Sequence, residues 1–195
     1  MTVTAGLVAF VTETSLVFLL TLYLQKVLGY SPLATGLAFG VLGLGTVLGG
    51  TLGGRTVGRF GARATIAAGG LVQAAATLPL VALGASGGWI WLVAAATFAG
   101  GVGNMLVIVA FMVTATSGLP DAEQGRATGI ATMSQQVGIT MGTPIMSAIA
   151  TAAMSGAATA DAVLSGVRVA IGVNALLVVA GSLIAAAFLG RPRRA

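Results

Sequence analysis

No cysteine and no histidine occur in the 195 residues. The first absence removes disulfides, thiolate nucleophiles and thiolate metal sites. The second removes the commonest general base and imidazole metal ligation. Charge is nearly as scarce, with nine Lys or Arg and four Asp or Glu making 7% of the chain, against ~25% in an ordinary soluble domain. So few charges cannot cover a water-facing surface, which excludes a soluble globular protein. Disorder is excluded as well, because it needs low hydrophobicity and abundant charge. What is present is apolar: 57% hydrophobic residues and thirty glycines, with a mean hydropathy of +1.04. The chain reads as an all-α integral membrane protein whose first partner is the lipid bilayer, with no enzyme chemistry, metal site or cofactor motif. A net charge of +5 does not point to nucleic acid, because the cations form no phosphate-binding face.

A spanning helix needs ~20 apolar residues. Residues 1–25 carry one charge, Glu13, and residues 27–54, 64–120, 127–160 and 169–190 carry none. The run 64–120 has room for two spans, with Gly84-Ala85-Ser86-Gly87-Gly88 as the turn between them. A six-helix transmembrane bundle over 1–190 results, with spans at about 4–24, 34–54, 64–84, 89–114, 127–150 and 168–190, followed by a basic tail at 191–195. The opening Met1-Thr2-Val3-Thr4 has no basic segment or cleavage pattern and reads as the start of a span, not as a signal peptide. Arg55, Arg59, Arg63, Arg126, Arg191, Arg193 and Arg194 fall on one side, against Lys26 and Arg168 on the other. The positive-inside rule then predicts a multi-pass protein of the plasma (inner) membrane with both termini cytoplasmic.

Gly36, Gly40, Gly45, Gly49 and Gly53 mark the second span, and Gly138 and Gly142 repeat the spacing in the fifth. Close backbone approach holds helices together in lipid, so these are predicted helix-packing positions. Static packing and smooth sliding faces for a moving bundle are both open readings. Thr128, Thr132, Gln136, Thr140, Thr143 and Ser147 recur at steps of three or four and share one face of the fifth span. Such a stripe is costly against lipid; it lines a cavity, bonds to other helices or bonds back to the carbonyls of its own helix. Gln135 lies beside it, and Pro144 is expected to weaken that helix. Glu13 is nine residues from Thr4, about 14 Å along the axis and near mid-membrane. A carboxyl group there favours its neutral form, which suits a proton-carrying site or a simple hydrogen bond to Thr12, Thr14 or Ser15. Asn104 and Gln73 are further polar candidates on the pathway or between helices.

Three stretches carry a family resemblance. Leu22-Tyr23-Leu24-Gln25-Lys26-Val27-Leu28-Gly29-Tyr30-Ser31-Pro32-Leu33 is the first, and Gly54-Arg55-Thr56-Val57-Gly58-Arg59-Phe60-Gly61-Ala62-Arg63 the second. The third is Pro120-Asp121-Ala122-Glu123-Gln124-Gly125-Arg126, followed by Gln135-Gln136-Val137-Gly138 and Gly142. They resemble the major facilitator superfamily, and within it the C-terminal half of the fourteen-span drug:proton antiporter branch. The resemblance implies one half of that fold, a 3+3 inverted repeat in which the first, second, fourth and fifth helices line a cavity. It implies a cytoplasmic gating loop at Arg55, Arg59, Gly61 and Arg63, where plain topology anchoring is the other reading. It also implies proton-coupled efflux of drug-like or lipophilic small molecules. Partners implied are a small-molecule substrate, protons as coupling ion, and a missing N-terminal half or a second copy. The substrate and proton pathway is then Glu13, Asn104, Thr128, Thr132, Gln135, Gln136, Thr140 and Thr143, although Glu13 matches none of the family's motifs. The alternative is a membrane-embedded partner or regulatory subunit without transport of its own.

Overall fold

The computed structural model describes residues 2–118, 120–154, 156 and 159–188, with side chains for 11–118, 120, 122–154, 156 and 159–184. The basic tail, with Arg191, Arg193 and Arg194 of the orientation argument, lies outside the described residues. Five helical rods carry the fold: α1 Thr2–Leu22, α2 Pro32–Thr77, α3 Ile90–Thr116, α4 Asp121–Ala153 and α5 Ala160–Phe188. A π-turn, Tyr23–Val27, extends α1, and a 3-10 turn, Leu78–Ala82, extends α2. Local chemistry sets the ends. Gly29 at φ 71° stops the first segment, and Ser31 caps α2 by accepting from the Ala34 amide at 3.2 Å with Pro32 beginning the helix. Gly118 and Gly156 take φ 77° beside the ends of α3 and α4. α5 starts at Ala160, capped by Thr159, eight residues ahead of the expected 168 because Asp161 is accommodated in its first turn.

The second and third expected spans are the two limbs of α2, joined with no intervening loop. Helical backbone is interrupted only at Gly61, with φ 81° and ψ 159°. The limbs run antiparallel, as their contacts with α3 reveal. Along the first limb, Gly45, Gly49 and Gly53 meet Phe98, Val102 and Val109 in rising order. Along the second, Gly69 meets Gly103, Leu106 and Val107, while Val72 and Gln73 meet Gly103. α3 is therefore seated between both limbs and is parallel to one and antiparallel to the other. α1 packs on α4 and α5, with Gly142 of α4 against the Val11 carbonyl and Gly166 of α5 against the Ala150 carbonyl of α4.

Sequence periodicity explains where the core sits. Leu16, Leu19, Leu20, Tyr23 and Leu24 form one buried stripe that meets Met146, Ala150, Val167 and Ile171. Pro32–Ala82, Gly87–Thr116 and Ala160–Ile184 are long and apolar enough to cross a membrane. α4 is 33 residues long but interrupted by its polar stripe, and runs unbroken through Pro144.

At the end of the bundle remote from Gly61, Tyr23 Oη donates to the Gly84 carbonyl at 2.7 Å. Arg168 Nε donates to the Leu83 carbonyl at 2.6 Å. Both serve carbonyls that the ended helix leaves without partners. Arg168→Gln is expected to lower stability by ~1.5–3 kcal/mol and Tyr23→Phe by about 1 kcal/mol, the range for charged and neutral donors. Thermal unfolding in detergent measures both. Equal loss from the two variants would contradict the ranking.

Candidate functional site

The polar stripe and its neighbours on α4 form the floor of an open groove. Thr132, Gln136 and Thr140 alternate there with Met133, Val137 and Met141 around a cavity of ≈ 510 Å³, within the ~300–1,000 Å³ of small-molecule pockets. All six are exposed within the chain. A helix that carries Thr, Gln, Thr at four-residue steps brings them to one side by its 3.6-residue period.

The hydroxyls of Thr128 and Thr140 donate to the carbonyls of Gln124 and Gln136 at 2.9 and 2.7 Å. That bonding satisfies their protons and leaves their oxygens as acceptors. The Gln136 amide makes no hydrogen bond among the described residues. Pro144 lacks an N–H, so the carbonyl of Thr140 loses its usual i+4 donor. The groove thus presents a mainly apolar wall of thioethers and Val137, in which the Gln136 amide and the Thr132 and Thr140 hydroxyls are the polar points. That surface accepts apolar molecules with scattered polar groups and fixes no single shape.

Adjacent glutamines diverge. Gln136 faces the groove, whereas Gln135 is half-buried and donates to Met112 Sδ of α3 at 3.5 Å. Thr128 and Thr143 sit half-buried toward either end of the stripe. Asn104 is buried in α3 at 4% exposure, among the glycines that seat that helix. Glu13 is set apart from the groove and accepts from Gln73 Nε2 at 3.3 Å. Gln73 also donates to Thr12 Oγ1 at 3.4 Å. The structure therefore gathers Thr132, Gln136 and Thr140 and separates Glu13 and Asn104 from them.

The packing glycines also divide. Gly142 is pressed to α1, where an added Cβ would stand 2.7 Å from the Val11 carbonyl oxygen, and Gly138 is buried. Gly36 and Gly40 have nothing within 4 Å. They lie with exposed Leu33, Leu37 and Leu44 on the first limb of α2. Arg55, Arg59, Gly61 and Arg63 are all exposed around the reversal of α2. The Arg59 guanidinium lies 5.2 Å from the ring centre of Phe60, a cation–π distance.

Sequence reasoning missed Asn174, fully buried in α5, whose Nδ2 donates to the Thr12 carbonyl at 2.8 Å. One amide within an apolar run has no periodicity to expose it; its depth was the available signal.

A model of the family described as the Major Facilitator Superfamily matches residues 2–195. The chain is 34% identical over 165 residues to the puromycin resistance protein pur8 of Streptomyces alboniger, covering 78% of this chain and 33% of that protein. It is 31% identical over 144 residues to a protein named for multidrug resistance, MdtD of Serratia proteamaculans (strain 568), covering 73% and 30%. It spans about a third of the length of these curated relatives. Its fold is similar to the xylose transporter XylE from E. coli in a partially occluded inward open conformation, with a TM-score of 0.73 at 16% identity over 94% of this chain and 47% of that one.

Proposed function

Because the chain belongs to the Major Facilitator Superfamily and is a multi-pass membrane protein, we propose that it forms one half of a transporter that expels drug-like or lipophilic small molecules in exchange for protons. The α4 groove carries this reading: a helix face that sets Gln136 and two threonines among Met133, Val137 and Met141 is left open by its own bundle. A facing half, either another polypeptide segment or a second copy, would close it into a cavity. Thr132, Gln136 and Thr140 would touch the substrate, with Thr128 and Thr143 at the two ends. The open leucines and glycines of the first limb of α2 would meet the same partner. Arg55, Arg59 and Arg63 at the reversal would anchor that end in the cytoplasm and latch it shut in one state, with both termini on that side of the inner membrane. Glu13 would carry the coupling proton. The printed names of pur8 and MdtD support the drug-like substrate class.

The test is efflux from proteoliposomes holding the chain alone or with a partner half, under an imposed proton gradient. A fluorescent lipophilic cation should move against its own gradient. Gln136→Leu should cut that movement at least tenfold, the loss expected when an amide's ~1.4 kcal/mol or more of binding is removed from a dry site, while insertion stays unchanged. Absence of flux in both arrangements would leave the chain a membrane partner without transport.

A further inference from the structure

Where α2 reverses, its two limbs and α3 surround a hollow of ≈ 240 Å³ lined by Thr56, Phe60, Ala64, Thr65, Ala68 and Leu106. It is smaller than the ~300–1,000 Å³ of small-molecule pockets, and none of its residues lines the α4 groove. Its polar side chains are already engaged. The Thr56 hydroxyl donates to the Gly53 carbonyl and the Thr65 hydroxyl to the Gly61 carbonyl, each at 3.0 Å. Neither has a proton left to give, so the hollow suits hydrocarbon and holds nothing for an anion. It continues as an open strip along the second limb. Ala64, Ala68, Leu71 and Ala75 recur at steps of four, three and four and are all exposed. From Ala64 to Ala75 the strip covers ~16 Å of helix, about half of the ~30 Å hydrocarbon core and so the depth of one leaflet. Charge stands at the mouth. Phe60, beside Gly61, carries the Arg59 guanidinium 5.2 Å from its ring centre. Arg55 and Arg63 stand four residues before and after Arg59, and α2 has no acidic residue. Asp121 and Glu123, which share this end of the bundle, open α4, where Glu123 lies with Arg126 around a separate cavity.

We propose that the reversal of α2 binds one anionic phospholipid of the surrounding bilayer, with its phosphate on Arg59 and one acyl chain in the hollow and along the strip. Each part of the lipid meets the chemistry that suits it. The planar guanidinium offers a fork of N–H donors that matches phosphate oxygens, and the Phe60 ring holds that fork at the entrance. The basic residues on either side add to the attraction for an anionic headgroup. Below them the acyl chain fills a slot that offers no competing hydrogen bond. A soluble phosphate would use the cation and leave the hollow empty; a lipid without net charge would use the hollow and leave the cation unanswered. The bound chain touches both limbs and Leu106 of α3, and so braces the bend at the one residue where helical backbone is interrupted. This binding requires only that the chain spans a membrane and does not depend on what the α4 groove moves.

Native mass spectrometry of the full chain in detergent, titrated with dioleoylphosphatidylglycerol or dioleoylphosphatidylcholine, tests it. One phosphatidylglycerol should be retained per chain at concentrations where phosphatidylcholine is not. Arg59→Gln should weaken retention about fivefold, the effect of one basic residue at an anionic surface. Ala68→Phe fills the hollow from an exposed position without touching a charge and should abolish retention, whereas Lys26→Gln, at the opposite end of the bundle, should change nothing. If Ala68→Phe does not insert, Ala64→Leu fills the same space one turn away. Thermal unfolding should rise with phosphatidylglycerol and stay unchanged with glycerol 3-phosphate, which has the headgroup charge and no tails. Equal retention of the two lipids, or native retention in the filled variants, overturns the site. So does equal protection by glycerol 3-phosphate, or displacement of the phospholipid by an equal concentration of oleate.

Discussion

Gly103→Ala is expected to prevent the chain from reaching its folded state in usable amount. An alanine Cβ at this position would stand 2.6 Å from the Gly69 carbonyl oxygen and 2.8 Å from the Gln73 amide nitrogen. Both are main-chain atoms of a limb that is itself packed, so no side-chain rotation relieves the overlap. Overpacking of this kind costs ~3 kcal/mol or more when backbone has to move, against ~5–15 kcal/mol of total stability in ordinary domains. The control is built into the same molecule. Gly36→Ala and Gly40→Ala meet nothing within 4 Å and replace a poor helix former by the best one. They should unfold at or slightly above the native temperature in detergent. A Gly103→Ala protein as stable as these would show that the helices approach less closely than 2.6 Å implies.

The second large effect concerns Gly61. Its φ of 81° with ψ of 159° lies in a region that only glycine enters without strain, so a side chain costs ~1–3 kcal/mol there. No atom lies within 4 Å of the added Cβ, so the cost is conformational rather than steric. The two limbs of α2 hold their antiparallel course through this one residue. Gly61→Ala should therefore splay them and loosen both seats of α3 at once. Pulsed spin–spin distances between labels at Thr51 and Ala75, both exposed, should broaden in Gly61→Ala. D-Alanine at the same position, introduced by ligation, favours positive φ and should keep the native distance. Equal broadening from the two stereoisomers would mean that bulk, not handedness of the backbone, is what the bend refuses.

Much of this was readable in advance, because the bilayer imposes strict rules on a sequence. Charge-free runs give helices, and a polar residue every fourth position gives a face, which is why Thr132, Gln136 and Thr140 could be placed on one side of a helix. The neighbour of each face is harder to read. Gly36 and Gly45 lie in the same glycine-rich span, yet one faces open space and the other the Phe98 carbonyl. Small-residue spacing reports that a close approach is possible on a side, and only the path of the whole chain decides which side is occupied. Glu13 shows the same limit. Depth alone made it a candidate, but its partner Gln73 comes from 60 residues away along the chain. The absence of a loop between the limbs of α2 was also hidden, since a basic stretch with glycines fits a loop and a bent helix equally well.

The seating of α3 between the limbs of α2, and of α1 upon α4 and α5, has a consequence for self-sufficiency. Counted along the chain, the first three helical segments are α1 and the two limbs, and the last three are α3, α4 and α5. Packed in space, each trio has exchanged its leading member for that of the other, in the manner of a domain swap within a single polypeptide. A triplet released by cutting between Ala82 and Gly87 would leave its first helix without a berth and expose a glycine-lined furrow where the foreign helix belongs. Each triplet relies on the other for its packing, so neither is expected to keep this architecture alone.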